Sequence, residues 1–152
     1  TITADVRELI RMYAFPSMEV LQFAWGGDVA ANPYAPHNHI ANAVLYTGTH
    51  DNNTLRGWYQ EEADDGEKHR LNDYLGRSTD DNSIHLGMIR LAMMSVSKML
   101  IVPVQDVLGL GAEARMNRPG VKEGNWKWRV TEGQLTAESA DLFRHLTQMY
   151  GR

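Results

Sequence analysis

The sequence predicts an α/β fold in which short parallel strands alternate with helices. Three apolar runs, at residues 17–25, 40–48 and 99–105, show little alternation of apolar and polar residues and are bounded by glycine, proline or polar residues. Apolar residues at three- and four-residue spacing lie between and after these runs, as in helices that bury one face. Such alternation is typical of parallel β/α units with both faces of the sheet covered. Three units can make a small open sheet or part of a (β/α)8 barrel.

The helices are placed by apolar spacing and by capping residues. Thr and Asn before an apolar stripe favour a helix start, and proline favours its end. The predicted helices run from Thr3 to Pro16, from Asn52 or Asn53 onward, over residues 83–99, and over residues 137–149 after Thr136.

Two segments carry little apolar periodicity. Residues 26–39 contain Pro33 and Pro36 and predict a loop that is long for a compact domain, and such loops are often functional. Residues 61–83 are charged and rich in turn residues, so most of this segment is expected to be solvated surface.

Length and composition limit the function classes. The chain has 152 residues, near the size of one domain, and a net charge of −4. An acidic chain without clustered Lys and Arg is not expected to bind nucleic acid. It contains no cysteine, which excludes disulfides and thiolate metal sites and fits a cytoplasmic location. No apolar run approaches the roughly 20 residues of a membrane span.

Polar residues stand at the carboxyl end of each predicted strand, with Gln105 and Asp106 at the end of the third, and parallel α/β folds place their chemistry there. The clearest case is "THDN", in which His50 and Asp51 follow the second strand directly. A carboxylate beside an apolar wall can stabilise developing positive charge, and the histidine can donate to a substrate hydroxyl. The alternative is that Asp51 and its neighbours Asn52 and Asn53 only cap the following helix.

Aromatic and amide residues near the end of the chain suggest a sugar site. Trp126 and Trp128 stand in "GNWKWR", and a Trp face suits a sugar ring, although the pair can equally pack in the core. Asn117, in "RMNRPG", can contact a ligand or close a turn. The Met-rich stretch in residues 87–99 has helical spacing and is expected in the core.

The histidines could form a metal site, but the sequence favours a structural role for them. His37 and His39 form an H-x-H pair that, with His50 and Asp51, would suggest a zinc-dependent hydrolase. No third ligand follows at helical spacing, so the pair is expected to be loop histidines bonded to the backbone, with no metal.

Five motifs in order resemble the carboxyl-terminal part of the 4-α-glucanotransferases (amylomaltases or disproportionating enzymes), glycoside hydrolase family 77. They are "LQFAW", "NPYAPHN", "TGTHDNNTLRGWY", "PVQDVLGLGAEARMNRPG" and "GNWKWR", and the resemblance runs over residues 1–152. It implies that the chain is one portion of a catalytic (β/α)8 barrel, about strands six to eight with closing helices, whose amino-terminal part is absent.

The resemblance also implies a chemistry. Family members transfer segments of α-1,4-glucan between maltooligosaccharides by a retaining mechanism, without metal or organic cofactor. Asp51 would be the third carboxylate of the clan and His50 a contact to the sugar at the cleavage point. The expected glucan contacts are Asn117, Asn52, Trp126 and, in the loop that borders the cleft, Asn32 and Pro33.

One departure from the family pattern is serious. The nucleophile and the acid/base of the family belong before Thr1, and Glu8, Glu19 and Asp28 lie in the wrong contexts to replace them. The chain alone is therefore expected to be inactive, and a non-catalytic α-glucan-binding module is the main alternative. A partial barrel exposes strand edges and apolar faces, so self-association of the isolated chain is also expected.

Overall fold

One parallel sheet forms the centre of the structure. The computed structural model describes residues 3–152, apart from the Arg7 side chain, and in them the strands are β1 (Ser17–Val20), β2 (Ala43–Tyr46) and β3 (Met99–Ile101). Their spatial order is β1-β2-β3 and both pairings are parallel. The predicted α/β fold with parallel strands is confirmed.

Helices precede β1 and follow β2 and β3, while 3₁₀ turns lie in the connection from β1 to β2. The helices are α1 (Ala4–Met12), α2 (Leu55–Gly57) with its π-helical continuation Trp58–Glu62, α3 (Asp65–Leu75), α4 (Ile84–Met94), α5 (Val104–Val107) and α6 (Ala137–Tyr150). Short 3₁₀ turns lie at Leu21–Ala24, Pro36–Asn38 and Ala112–Ala114. The last predicted helix, with Thr136 as N-cap, is confirmed to within one residue, and the Thr136 hydroxyl accepts from the Ser139 amide.

The predicted strands are all too long. The run 17–25 leaves the sheet after Val20 and continues as a buried 3₁₀ turn, while the run 40–48 is extended only over β2. Apolar periodicity cannot separate a buried strand from a short buried helix, which explains the error. The run 99–105 leaves the sheet after Ile101, and Pro103, which lacks an amide hydrogen, is the N-cap of α5.

Residues 61–83 lie mostly at the surface, as predicted, but this turn-rich sequence also forms the 11-residue helix α3. Asp64 Oδ1 accepts from the Glu67 amide at 2.7 Å, and Glu67 Oε2 accepts from the Asp64 amide at 3.0 Å, which completes a capping box. Gly76 ends the helix with φ of 65°. Leu71 is fully buried, so this charged segment supplies part of the core.

Two other helix boundaries differ from the prediction. The helix after the "THDN" motif begins at Leu55 rather than at Asn52 or Asn53. The helix predicted over residues 83–99 ends at Met94. Met88 is fully buried, as expected of the Met-rich stretch, but Met94 and Met99 are 54% exposed and lie outside the core.

The core covers only one face of the sheet. Leu45 and Met88 are fully buried in one cluster with residues of α2, α3, α4 and α6. On the other face Met18 is 56%, Met99 54% and Ile101 40% exposed. The expectation that both faces are covered is therefore wrong for residues 3–152.

Helix α1 adds to the exposed apolar surface. Its predicted stripe is present, but Val6, Leu9 and Tyr13 are 44%, 52% and 61% exposed. Thr3 has the extended backbone of an N-cap, although its side chain makes no capping hydrogen bond. No helix within residues 3–152 has the length and apolar character to cross a membrane.

Candidate active site

The segment after β2 is folded tightly and holds its side chains in a fixed order. Gly48 has no room for a side chain, since a Cβ there would lie 2.7 Å from Gln22 Nε2. Asn52 Oδ1 accepts from the Thr49 amide at 2.9 Å and from the Thr49 hydroxyl at 2.7 Å. This closed turn leaves His50 and Asp51 at its outer end, with about half of each side chain exposed.

Asp51 does not cap the following helix. The N-cap of α2 is Thr54, whose hydroxyl accepts from the Gly57 amide at 3.0 Å. Asn52 is engaged with Thr49, and Asn53 Oδ1 accepts from the neighbouring Thr54 amide at 3.0 Å. The Asp51 carboxylate is therefore free of the local structural role that competes with a functional one.

Three predicted site residues come together at this carboxylate. Asp51 Oδ1 accepts from Asn117 Nδ2 at 2.6 Å and lies 3.2 Å from His50 Nε2. The backbone N–H of Asn117 also donates to the His50 carbonyl oxygen at 3.0 Å. Asn117 lies 66 positions after Asp51, so tertiary folding creates this cluster. An anion, an imidazole and a carboxamide in contact can share the hydroxyl groups of one sugar ring.

Trp126 extends the cluster with an aromatic surface. Its ring centroid is 5.2 Å from that of His50, and the residue is 53% exposed. Its φ of 63° is unusual for a bulky residue, and such backbone outliers are concentrated at functional sites. Trp128 is only partly exposed, so the two tryptophans face different environments.

Arg115 joins the two segments of the site through the backbone. Its Nε donates to the Asn117 carbonyl at 2.9 Å and its Nη2 to the Asp51 carbonyl at 2.8 Å. Its Nη1 lies 2.7 Å from Glu62 Oε1, and the side chain is 15% exposed. The guanidinium thus holds the backbone of both residues whose side chains pair.

The buried Asp106 carboxyl holds both ends of the turn that carries His50 and Asp51. Its Oδ2 accepts from the Thr47 hydroxyl at 2.7 Å and its Oδ1 from the Leu55 amide at 2.8 Å. These two residues flank the turn that carries His50 and Asp51. Burial raises the pKa of the Asp106 carboxyl to about 6, although both hydrogen bonds act in the opposite direction.

An open cavity of about 400 Å³ adjoins the cluster. His50 and Asn52 line it on the polar side together with Arg115, while Met18 and Ile101 of the open sheet face form its apolar wall. The polar residues predicted at the end of β3, Gln105 and Asp106, also line it. The cavity thus lies at the carboxyl ends of the strands, where the sequence pattern places the site.

Asn32 and Pro33 belong to a separate loop. Asn32 Nδ2 donates to the Phe23 carbonyl at 2.8 Å, and its Oδ1 accepts from the Tyr34 amide at 2.9 Å. Neither Asn32 nor Pro33 lines the cavity, and their contact with a glucan stays a prediction.

His37 and His39 point to different partners. His37 Nδ1 lies 2.9 Å from the Tyr74 hydroxyl, and His39 Nδ1 lies 2.7 Å from the Ser95 hydroxyl. The other ring nitrogen of each contacts a backbone carbonyl, at Ala30 and Tyr34 respectively. These contacts match the loop-histidine interpretation. Within residues 3–152, no three His, Cys, Asp or Glu side chains are grouped to hold a metal ion.

Sequence reasoning missed the supporting residues. Arg115 stands two positions before Asn117 in the "RMN" motif, and Asp106 was noted only as a polar residue at a strand end. Except for the Asn117 carbonyl, the partners of Arg115 and Asp106 lie more than 50 positions away, so no local pattern signals these contacts.

Comparison with known proteins gives one consistent result. The family model described as 4-alpha-glucanotransferase matches residues 1–136. The chloroplastic/amyloplastic 4-alpha-glucanotransferase of Arabidopsis thaliana is 46% identical over 99% of this chain and 26% of its own length. The 4-alpha-glucanotransferase of Synechocystis sp. is 45% identical over 99% of this chain and 30% of its own length.

A solved structure has the same fold. The amylomaltase from Streptococcus agalactiae in complex with acarbose superposes with a TM-score of 0.93, at 29% identity, over 100% of this chain and 30% of that one. The chain therefore spans less than a third of the length of these relatives. On these matches, the chain belongs to the 4-alpha-glucanotransferase family, glycoside hydrolase family 77.

Proposed function

We propose that the longer protein containing this chain transfers α-1,4-glucan segments between maltooligosaccharides, and that Asp51 is one of its catalytic carboxylates. The contact of Asp51 with His50 and Asn117, at the carboxyl ends of parallel strands, carries the proposal. Trp126 supports it by offering a half-exposed aromatic face beside this cluster. Asn52, on the cavity wall, is a further proposed sugar contact.

The chemistry we propose is a retaining transfer. A carboxylate nucleophile forms a glycosyl-enzyme intermediate, and a carboxylic acid first protonates the leaving oxygen and then activates the acceptor hydroxyl. The transition state carries positive charge on the sugar ring, which the negative Asp51 can stabilise. His50 and Asn117 hold hydroxyl groups of the same ring.

We place the nucleophile and the acid/base in the part of the protein outside residues 1–152. Three carboxylates of this chain that could be considered for these roles have other partners. Glu8 pairs with Arg11 at 2.9 Å, Asp28 Oδ1 accepts from the Ala30 amide at 3.0 Å, and the buried Glu19 accepts from the Ser97 hydroxyl at 2.8 Å. The isolated chain is therefore proposed to be inactive.

The architecture we propose for the whole protein is a (β/α)8 barrel of which this chain forms the carboxyl-terminal part. In such a barrel, helices cover the outer face of the strands and the inner face meets the other strands. The open face with Met18, Met99 and Ile101 is then the inner face. In the isolated chain this face and the sheet edges would favour self-association.

The remaining proposals concern partners and location. We propose that the protein does not bind nucleic acid, which the net charge of −4 supports. We also propose a cytoplasmic location, with which the lack of cysteine is compatible. No step of the proposed chemistry requires a metal or an organic cofactor.

Product analysis with maltotriose tests the proposed function. The intact protein is expected to convert two maltotriose molecules into glucose and maltopentaose, since one maltosyl group moves to an intact acceptor. Chromatography separates these products from those of hydrolysis, which are glucose and maltose. Glucose and maltose without any longer chain, or no product at all, would contradict the proposal.

A further inference from the structure

The site is divided between two segments that are far apart in the sequence. Asp51 lies in the turn after β2, and Asn117 lies in the loop after the Ala112–Ala114 turn. Their side chains meet at 2.6 Å although both residues are partly exposed to solvent. A single hydrogen bond between two solvent-accessible side chains competes with water and is too weak to fix both segments alone.

Arg115 supplies the additional constraint. It donates to the Asp51 carbonyl at 2.8 Å and to the Asn117 carbonyl at 2.9 Å, so one rigid guanidinium fixes the distance between the two backbones. Lysine has one ammonium group and lacks this planar set of donors.

Glu62 holds the guanidinium in this orientation. Its Oε1 accepts from Arg115 Nη1 at 2.7 Å and from Asn53 Nδ2 at 3.1 Å, and Asn53 is itself buried just beyond the site turn. Glu62 ends the π-helical turn that continues α2, a type of distortion that is frequent at functional sites.

An ordinary surface ion pair does not explain this arrangement. Exposed pairs contribute little to stability because water and salt screen them and both side chains lose conformational freedom. The Arg115 side chain is 15% exposed, and each of its three nitrogens donates to a different residue. It also lines the cavity beside His50, so its position bears directly on the site.

We propose that Arg115, oriented by Glu62, is a positioning residue that holds Asp51 and Asn117 in register for the sugar at the cleavage point. The inference rests on the proposed function, because it assigns the reaction in which this register matters. Displacement of a catalytic group by about 1 Å can lower the rate about 100-fold. A loss of register therefore lowers kcat more than it raises KM.

The test uses Arg115→Lys in the intact protein, with maltotriose as substrate. The expected result is a decrease in kcat of about 10- to 100-fold, with KM changed less than about 3-fold. Glu62→Gln keeps an acceptor for Arg115 but loses the negative charge. Its decrease in kcat is therefore expected to be smaller than that of Arg115→Lys. Arg70→Lys is the matched control, since Arg70 Nε donates to the Trp25 carbonyl at 2.6 Å away from the cavity. Its kcat per folded molecule is expected to be unchanged.

Chemical rescue separates positioning from a general structural role. In Arg115→Ala, added guanidinium chloride at low millimolar concentration is expected to restore part of kcat. A kcat of Arg115→Lys within 2-fold of the native value would overturn the proposal, as would a loss of activity in both Arg115→Lys and Arg70→Lys that follows only the unfolded fraction.

A structural measurement tests the positioning independently of the reaction. A crystal structure of the intact Arg115→Met protein is expected to show the Asp51 Oδ1 to Asn117 Nδ2 distance beyond hydrogen-bonding range. An unchanged distance of 2.6 Å would overturn the proposal whatever the substrate is. Absence of transfer by the native protein would instead contradict the proposed function and leave this structural test decisive for Arg115.

Discussion

Asp51→Asn in the intact protein is expected to lower kcat for glucan transfer by about 10²- to 10³-fold without changing the fold. The amide has nearly the same shape, and its oxygen can still accept from Asn117 Nδ2, which is 2.6 Å from Asp51 Oδ1. What is lost is the negative charge, which interacts more strongly with the positively charged transition state than with the neutral substrate. The measurement is kcat and KM with maltotriose, together with the thermal unfolding midpoint.

Asp73→Asn is the matched control for this experiment. Asp73 also lies beside a histidine, with its Oδ2 3.3 Å from His69 Nε2, and its side chain is 69% exposed on α3. The same chemical change there is expected to leave transfer unaltered. If Asp51→Asn and Asp73→Asn had the same activity, Asp51 would have no catalytic role.

Asp106→Asn is expected to reduce the pH dependence of the free energy of unfolding, because it replaces a buried titratable carboxyl with an amide. Burial raises the pKa of Asp106 to about 6, above the ordinary value of 3.8. Between these values the folded state keeps a proton that the unfolded state has released, so the free energy of unfolding falls as pH rises. The bound proton contributes of the order of 3 kcal/mol to the free energy of unfolding at low pH. This contribution is lost once the pH has risen above the pKa of Asp106 in the folded state. The groups that contact the carboxyl, the Thr47 hydroxyl and the Leu55 amide, do not titrate in this range.

The measurement is urea unfolding of the native and Asp106→Asn proteins at pH 4.5 and pH 7.5. The native protein is expected to lose more stability between the two pH values than the variant, because the amide has no proton to release. Asp106→Ala is expected to be less stable than native at pH 4.5, since it leaves the buried Leu55 amide without its acceptor, at a cost of about 1–3 kcal/mol. Parallel pH profiles of native and Asn proteins would show that Asp106 does not titrate as inferred.

Much of the fold was predictable because its signals are local. Three apolar runs without alternation predict buried parallel strands, and the strands occur in that order. Their lengths were not predictable, since Leu21–Ala24 is as apolar and as buried as β1 but turns into a 3₁₀ helix. Helix α3 was not predicted although Asp64 and Glu67 have capping-box spacing, because charged and turn-favouring residues dominate this surface segment.

On the open sheet face, the burial predicted from the apolar sequence differs from the exposure seen in the structure. Apolar residues such as Met18 and Ile101 predict burial, yet they are 56% and 40% exposed. With less than a third of the length of its relatives in this chain, we attribute the missing cover to the rest of the longer protein.

The cluster at the candidate site could be predicted from motifs, but the residues that support it could not. His50, Asp51, Asn117 and Trp126 were identified by motif, and they lie together in the structure. The contacts of Arg115 and Asp106 depend on segments brought together only by folding.

The most direct test is a crystal structure of the intact Asp51→Asn protein with a maltooligosaccharide bound. One glucose ring is expected within hydrogen-bonding distance of residue 51, His50 and Asn117, with the Trp126 face beside the glucan. A glucan bound elsewhere, with none of these side chains in contact, would contradict the assignment of this cluster as the site of transfer.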